Sequence, residues 1–179
     1  RFWSQDVISA ITLTLWRVRF CLYGVNLEPE EQEEVNAVMS FSSNVKQELC
    51  RLPINRKMEA AAELYGILLY CNAFTSEFVR ITTESRDLAE RLPRLMKKVF
   101  GFSFDQEPEE DTGKLLFVME SQGKIHKMFA QFGLSAARDV TLHVNYGMLE
   151  EDEERLAFLR GAFLSGGSVT DPAKRYHLE

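Results

Sequence analysis

The apolar residues of this chain switch between two spacings, and each switch marks an element. Val45 and Leu49 lie four apart behind Ser40, Ser42, Ser43 and Asn44. Any of those four can cap a helix that runs to about Arg51, and Pro53 ends it. Met58 to Asn72 is then apolar around nearly its whole circumference, broken only by Glu59 and Glu63. A helix apolar on every side belongs in a core or against a partner helix. Phe74, Thr75 and Phe78 to Thr83 favour strands, with Phe78, Arg80 and Thr82 on one face and Val79, Ile81 and Thr83 on the other.

The helical spacing returns at Asp87 to Phe100, where Leu88, Leu92, Leu95, Met96 and Val99 make one apolar stripe and Gly101 stops it. Pro93 sits within that stretch and predicts a kink or a later start, because proline lacks the amide the helix needs. Phe102 and Phe104 read as a short strand before the acidic loop Glu107 to Asp111. Lys114 to Glu120 reads as a strand, Ile125 to Phe132 as a short helix closed by Gly133, and Val140 to Tyr146 as a weaker strand. Glu150 to Ser165 is the last helix, with acids in the first turn where the helix dipole favours them. Helices thus alternate with strand pairs, which predicts an α+β fold with antiparallel pairing.

The first 38 residues differ in texture. Val7 to Leu15 is apolar but too short for a bilayer span, which needs about 20 residues. Trp16 to Leu22 alternates like a strand, and Glu28 to Glu34 is acidic. No small-residue cleavage site follows the apolar run, so a signal peptide is a poor match.

Composition narrows the class. With 179 residues, 45% hydrophobic and 27% charged, the chain is of globular type, one domain or two small ones. Cys21, Cys50 and Cys71 make no CxxC pair and no even framework, which predicts free thiols in a cytosolic setting. The net charge of −6 argues against a nonspecific nucleic-acid coat. It is unevenly spread: residues 39–100 carry 10 basic and 7 acidic side chains, whereas both flanks are acidic. A phosphate backbone would therefore meet the middle segment best.

Two helices resemble each other. The run Ala62 to Thr75 aligns with Ala157 to Thr170, and Ala62/Ala157, Leu64/Leu159, Gly66/Gly161, Leu69/Leu164 and Thr75/Thr170 are identical. A glycine inside a helix costs about 1 kcal/mol against alanine and usually has a packing reason. Ala62 and Gly66, like Ala157 and Gly161, stand one turn apart, so the two helices can approach backbone to backbone. Two unrelated core helices with incidental glycines remain the plainer alternative.

This pattern resembles the LAGLIDADG motif of homing endonucleases, in which αββαββα repeats pair two motif helices and spread strands over DNA. Met39-Ser-Phe-Ser-Ser-Asn-Val-Lys-Gln-Glu-Leu49, the helix from Ala62, and the stretch Phe158 to Glu179 containing Arg160-Gly-Ala-Phe-Leu-Ser-Gly-Gly-Ser-Val-Thr-Asp-Pro172 are similar to the WhiA family of sporulation and cell-division regulators. The resemblance implies a first repeat over residues 39–150, a second beginning at 151–179 and truncated there, and residues 1–38 as an extension outside the match. It implies a cytoplasmic, nucleoid-associated transcription regulator that binds double-stranded DNA mainly through a further helix-turn-helix, with other transcription regulators as partners and no membrane role.

In the nucleases an acid near the end of each motif helix binds a divalent ion that activates water. Here those places hold Cys71 and Gly166, which lack the hard oxygens Mg²⁺ prefers. The expectation is no catalytic residue, no metal and no cofactor, with Glu77 and Asp171 the only displaced acids to consider. His126, His143 and His177 have no metal-ligand spacing, and Gly166-Gly167 reads as a turn. Cys71 reads as a buried small hydrophobe within its helix. Candidate DNA contacts are Arg80, Thr82, Lys114, Lys174 and Arg175, on or beside predicted strands. An ordinary solvated sheet face is the alternative, and the acidic surplus after residue 100 favours it. A chain so charged is expected to bind DNA weakly on its own.

Overall fold

The computed structural model describes residues 40–108, 113–134, 144–173 and 177–178. Every element among the described residues lies within the compact unit Phe41–Glu179. The expectations for residues 1–38, for the strand at 140–143 and for Lys174 and Arg175 fall outside the described residues.

Helix α1 spans Phe41–Arg51 and buries Val45, Leu49 and Cys50. Helix α2 spans Lys57–Leu69 and is buried without a break from Ala60 to Leu68. It packs against both α3 (Arg86–Phe100) and α5 (Asp152–Gly166), which is why its sequence shows no polar side. Between α2 and α3 the chain makes two strands, β1 (Ala73–Phe74) and β2 (Val79–Thr83). A third strand, β3 (Leu115–Met119), follows α3, and the sheet order is β1-β2-β3, antiparallel throughout. Val79, Ile81, Phe117 and Met119 bury one face of this sheet. Helix α4 (Gln122–Gln131) turns back over it through Ile125, Met128 and Phe129, and Phe129 meets Phe74 with ring centroids 5.0 Å apart. The α+β class and the antiparallel pairing match the sequence reading.

Several local expectations are corrected. Helix α3 does not begin late: it starts at Arg86, where the Ser85 hydroxyl accepts the Leu88 amide at 3.3 Å, and runs through Pro93 to Phe100, capped by Gly101, left-handed at φ 77°. The cap and six buried side chains outweigh the amide that proline lacks. Phe102 and Phe104 do not form a ladder strand. Phe102 stacks on Phe100 at 5.2 Å, Phe104 packs on Phe117 at 5.1 Å, and pairing is limited to the single bridge of Gln106 with Val118. Tyr146 is not in a strand but opens a 3₁₀ turn, Tyr146–Met148, whose entry is set by the Asn145 carboxamide accepting the Gly147 amide. Helix α4 starts at Gln122 rather than Ile125, and α2 ends at Leu69, before Cys71. No helix among the described residues is long and apolar enough to cross a membrane.

Candidate functional site

Gly66 of α2 and Gly161 of α5 lie where the two helices cross. A Cβ on Gly66 would overlap Phe158 O and stand 2.8 Å from Ala162 N. A Cβ on Gly161 would overlap Glu63 O and stand 3.1 Å from Ile67 N. Each missing side chain is the space the other backbone fills. Ala62 and Ala157, one turn before each glycine, are fully buried beside the crossing.

The crossing holds a charge cluster that the periodicity did not reveal. Glu63 is 1% exposed, and its Oε1 accepts Arg91 Nε at 2.5 Å while Oε2 accepts Arg91 Nη2 at 2.9 Å. Arg160 donates to that same Oε2 through Nε at 3.0 Å and Nη2 at 2.7 Å. Arg91 Nη1 also donates to the carbonyls of Cys50 at 2.8 Å and Leu52 at 2.6 Å, so one guanidinium ties the end of α1 to α2 and α3. A signal was available. Glu63 and Arg91 are charged residues on otherwise apolar helix surfaces, and such a charge is found inside only when paired.

A second tether runs from α2 to the segment after α4. Tyr65 stacks on Phe132 at 4.8 Å, and its hydroxyl accepts the Asn145 amide at 2.9 Å. Asn145 in turn donates to Phe132 O at 3.0 Å, closing a loop that fixes how the 3₁₀ turn approaches α5. Burial pushes the Tyr65 phenol up, partly offset by the bond from Asn145.

Beyond the crossing, the helix ends carry no hard-oxygen pair. Cys71 lies outside α2, not within it, and is only half-buried; its thiol donates to Ala73 O at 3.3 Å. Burial pushes that thiol up to about 11, so it stays protonated at neutral pH. Gly166 ends α5 against Tyr70, where an added Cβ would sit 3.5 Å from Tyr70 Cβ. Gly167 after it is extended rather than left-handed, at φ −78°, so the Gly166-Gly167 pair makes no left-handed cap. Glu77 sits in the β1–β2 turn that the Thr75 hydroxyl organises, and Asp171 accepts the Ala173 amide in its own turn. Among the described residues no group of three or more His, Cys, Asp or Glu could hold a metal ion. A thiol and a glycine do not suit the divalent ion of the nuclease motif. His126 and His177 are exposed, on α4 and beside the final bridge; His143 is outside the described residues.

On the outer sheet face, Arg80 is exposed and its guanidinium lies 5.7 Å from the Phe78 ring centroid. Arg80 stands opposite Ala73 and Val118, and Thr82 opposite Leu116, itself 39% exposed. Thr82 is half-buried, and its amide donates to Asn72 Oδ1 at 2.6 Å. Lys114 is exposed just before β3. The structure therefore brings Arg80 and Thr82 to one face, but Arg80 is the only charged residue in any of the three strands.

A family profile described as the WhiA LAGLIDADG-like domain matches residues 155–179. A protein named "Probable cell division protein WhiA" from Ruminiclostridium cellulolyticum is 32% identical over 151 residues, covering 79% of this chain and 48% of that protein. Its counterpart in Staphylococcus aureus (strain JH9) is 31% identical over 149 residues, 79% and 47% of the two chains. The chain spans about half the length of the curated relatives it matches. Among solved structures, full-length WhiA from Thermatoga maritima aligns with TM-score 0.55 at 24% identity, over 78% of this chain and 44% of that one. A WhiA N-terminal LAGLIDADG domain aligns with TM-score 0.54 at 23% identity, over 78% and 64%. These two structural likenesses bear on the fold.

Proposed function

This chain belongs to the WhiA family of cell-division proteins, and from that footing we propose that it is a non-catalytic, DNA-associated part of a transcription regulator. In this reading α2 and α5 are the paired motif helices of an αββαββα scaffold, and residues 151–179 open the second repeat. A helix-turn-helix in the longer protein would supply most of the sequence-specific affinity. Sporulation and cell division are the processes it would serve, from the cytoplasm and the nucleoid.

The observation that carries the proposal is the pairing of a glycine crossing with Cys71 and Gly166 at the helix ends. In this reading the paired helices of a DNA-spanning motif persist, while the two places that would hold metal ligands offer a protonated thiol and a hydrogen. Incubating the chain, and a full-length relative, with supercoiled plasmid and Mg²⁺ or Mn²⁺ tests the loss of catalysis. Intact plasmid is expected, and metal-dependent nicking would overturn it. A footprint of the full-length protein against this chain tests the association with DNA.

A second reading has one observation in its favour. The outer sheet face offers the exposed Leu116 beside a single cation, which suits a protein partner or an effector better than a phosphate backbone. Capture of another regulator by this chain in the absence of DNA would favour that reading.

A further inference from the structure

The exposed cations of this unit concentrate on a helix, not on the sheet. Along α3, Arg86, Arg94, Lys97 and Lys98 are exposed, while Leu88, Leu92, Leu95, Met96 and Val99 are buried. At about 100° per residue the four cations share roughly 120° of arc, opposite that apolar stripe. Glu90 is the single exposed acid among them. No ion pair with a described residue engages Arg86, Arg94 or Lys97. Lys98 donates to the carbonyls of Ile54 and Asn55, both at 2.9 Å, which leaves its positive charge uncancelled. Arg56 nearby in sequence is different: it pairs with Glu59 at 3.0 Å and approaches Glu151 at 4.0 Å, so it adds little. From Arg86 to Lys98 the row runs about 18 Å along the helix axis, long enough to follow several phosphates of a duplex strand.

We propose that the solvent face of α3, through Arg86, Arg94, Lys97 and Lys98, is the surface by which this chain meets the phosphate backbone of double-stranded DNA, in place of the outer sheet face. The inference rests on the DNA-associated reading above and relocates its contact. The contrast of the two surfaces carries it. Four exposed cations stand on α3 against two acids, the exposed Glu90 and the part-buried Asp87 that accepts Gln47 Nε2, whereas the three strands offer Arg80 alone, flanked by Ala73, Val118 and Leu116. A row of cations neutralises phosphates without itself reading bases, so binding is sequence-tolerant and steeply salt-dependent. It would position the chain on DNA and leave reading to another part of the protein.

The test is fluorescence anisotropy of the whole 179-residue chain with a short fluorescein-labelled duplex of mixed sequence, across about 50 to 200 mM salt. The double variant Arg94→Ala/Lys97→Ala is expected to lose about tenfold in affinity at the low-salt end. Its log–log salt slope should fall by about 2, near 0.9 for each phosphate contact removed. The charge-keeping variant Arg94→Lys/Lys97→Arg should bind as the parent does, and Arg80→Ala should change affinity less than twofold. These substitutions are at exposed positions, and matching circular dichroism spectra confirm that each variant is folded. A loss confined to Arg80→Ala overturns the α3 surface and leaves the proposed function standing. Absence of duplex binding by the parent chain, with binding to a poly-glutamate probe that Arg94→Ala/Lys97→Ala abolishes, assigns the surface to an acidic protein and overturns the inference. A parent chain that binds neither probe overturns it as well.

Discussion

Arg160 gives both of its inward-facing N–H groups to the one oxygen of Glu63 that faces α5, at 3.0 and 2.7 Å. The other face of the same carboxylate is taken by Arg91. One buried anion therefore joins helices that are far apart in sequence, and two cations surround it. Burying three charges is costly, and it is sustained here because the carboxylate and both guanidinium groups have hydrogen-bond partners.

Removing the anion should hurt most. Glu63→Ala leaves two guanidinium groups facing each other in the core, and a loss of about 3–5 kcal/mol is expected in urea unfolding. Arg91→Met should cost more than Arg160→Met, because Arg91 is 1% exposed and also serves the Cys50 and Leu52 carbonyls, whereas the Arg160 side chain is 17% exposed. Equal losses for the two arginines would count against this ranking.

The glycine crossing makes a sterically sharper prediction. Gly66→Ala and Gly161→Ala each drive a Cβ into the backbone of the facing helix, and a loss of about 1–3 kcal/mol or more is expected. Gly123→Ala is the control. That helical glycine has nothing within 4 Å of an added Cβ, so the change should stabilise by up to about 1 kcal/mol. Thermal melts of the three variants decide it, and a neutral Gly161→Ala would refute the close approach.

Acid should loosen the start of α4. Burial works to raise the Asp105 carboxyl, but the Lys124 ammonium at 2.6 Å and the amides of Ser121 and Glu120 outweigh it and hold the group below its ordinary value. A carboxyl with a depressed folded value contributes stability above the unfolded value of about 3.9 and loses it as pH falls further. Asp105→Asn should therefore be less stable than the parent at pH 7, with the gap closing below about pH 4. Denaturant midpoints measured across that range test it.

Thiol chemistry should be slow. Burial pushes Cys50 up to about 12, against the opposing charge of Arg91, and Cys71 up to about 11. The thiolate is the nucleophile, so alkylation of both at pH 7 should lag a free cysteine by more than tenfold. Cys50, which is buried, should react only on unfolding, while half-buried Cys71 reacts in the native state as pH rises. Peptide-level mass spectrometry separates the two sites.

Much of the fold could be read from spacing alone. The all-round apolar run at Met58 to Asn72 announced a helix enclosed by others, and α2 lies against α3 and α5. Period-two alternation at Phe78 to Thr83 placed Val79 and Ile81 inward and Arg80 outward, and the β2 burial follows it. Where local rules competed with packing, packing won. Pro93 stays inside α3 because the buried stripe holds the helix on both sides of it, and Phe102 and Phe104 pack as rings instead of pairing as a strand. Alternation puts Arg80 and Thr82 on one face, and they share it; that this face is poor in charge follows from β3 lying beside β2.

What the residue order settled is periodic and local: which stretches are helices, which faces are apolar, and where two small residues recur one turn apart. Those properties depend on neighbours within a few positions, where spacing and side-chain type suffice. Folding in three dimensions settled which partners meet across long separations: Glu63 with Arg160 and Arg91, Gly66 with the backbone of α5, Tyr65 with Asn145. A buried charge or a missing side chain states only that something must complement it, and the complement is chosen by how the helices cross.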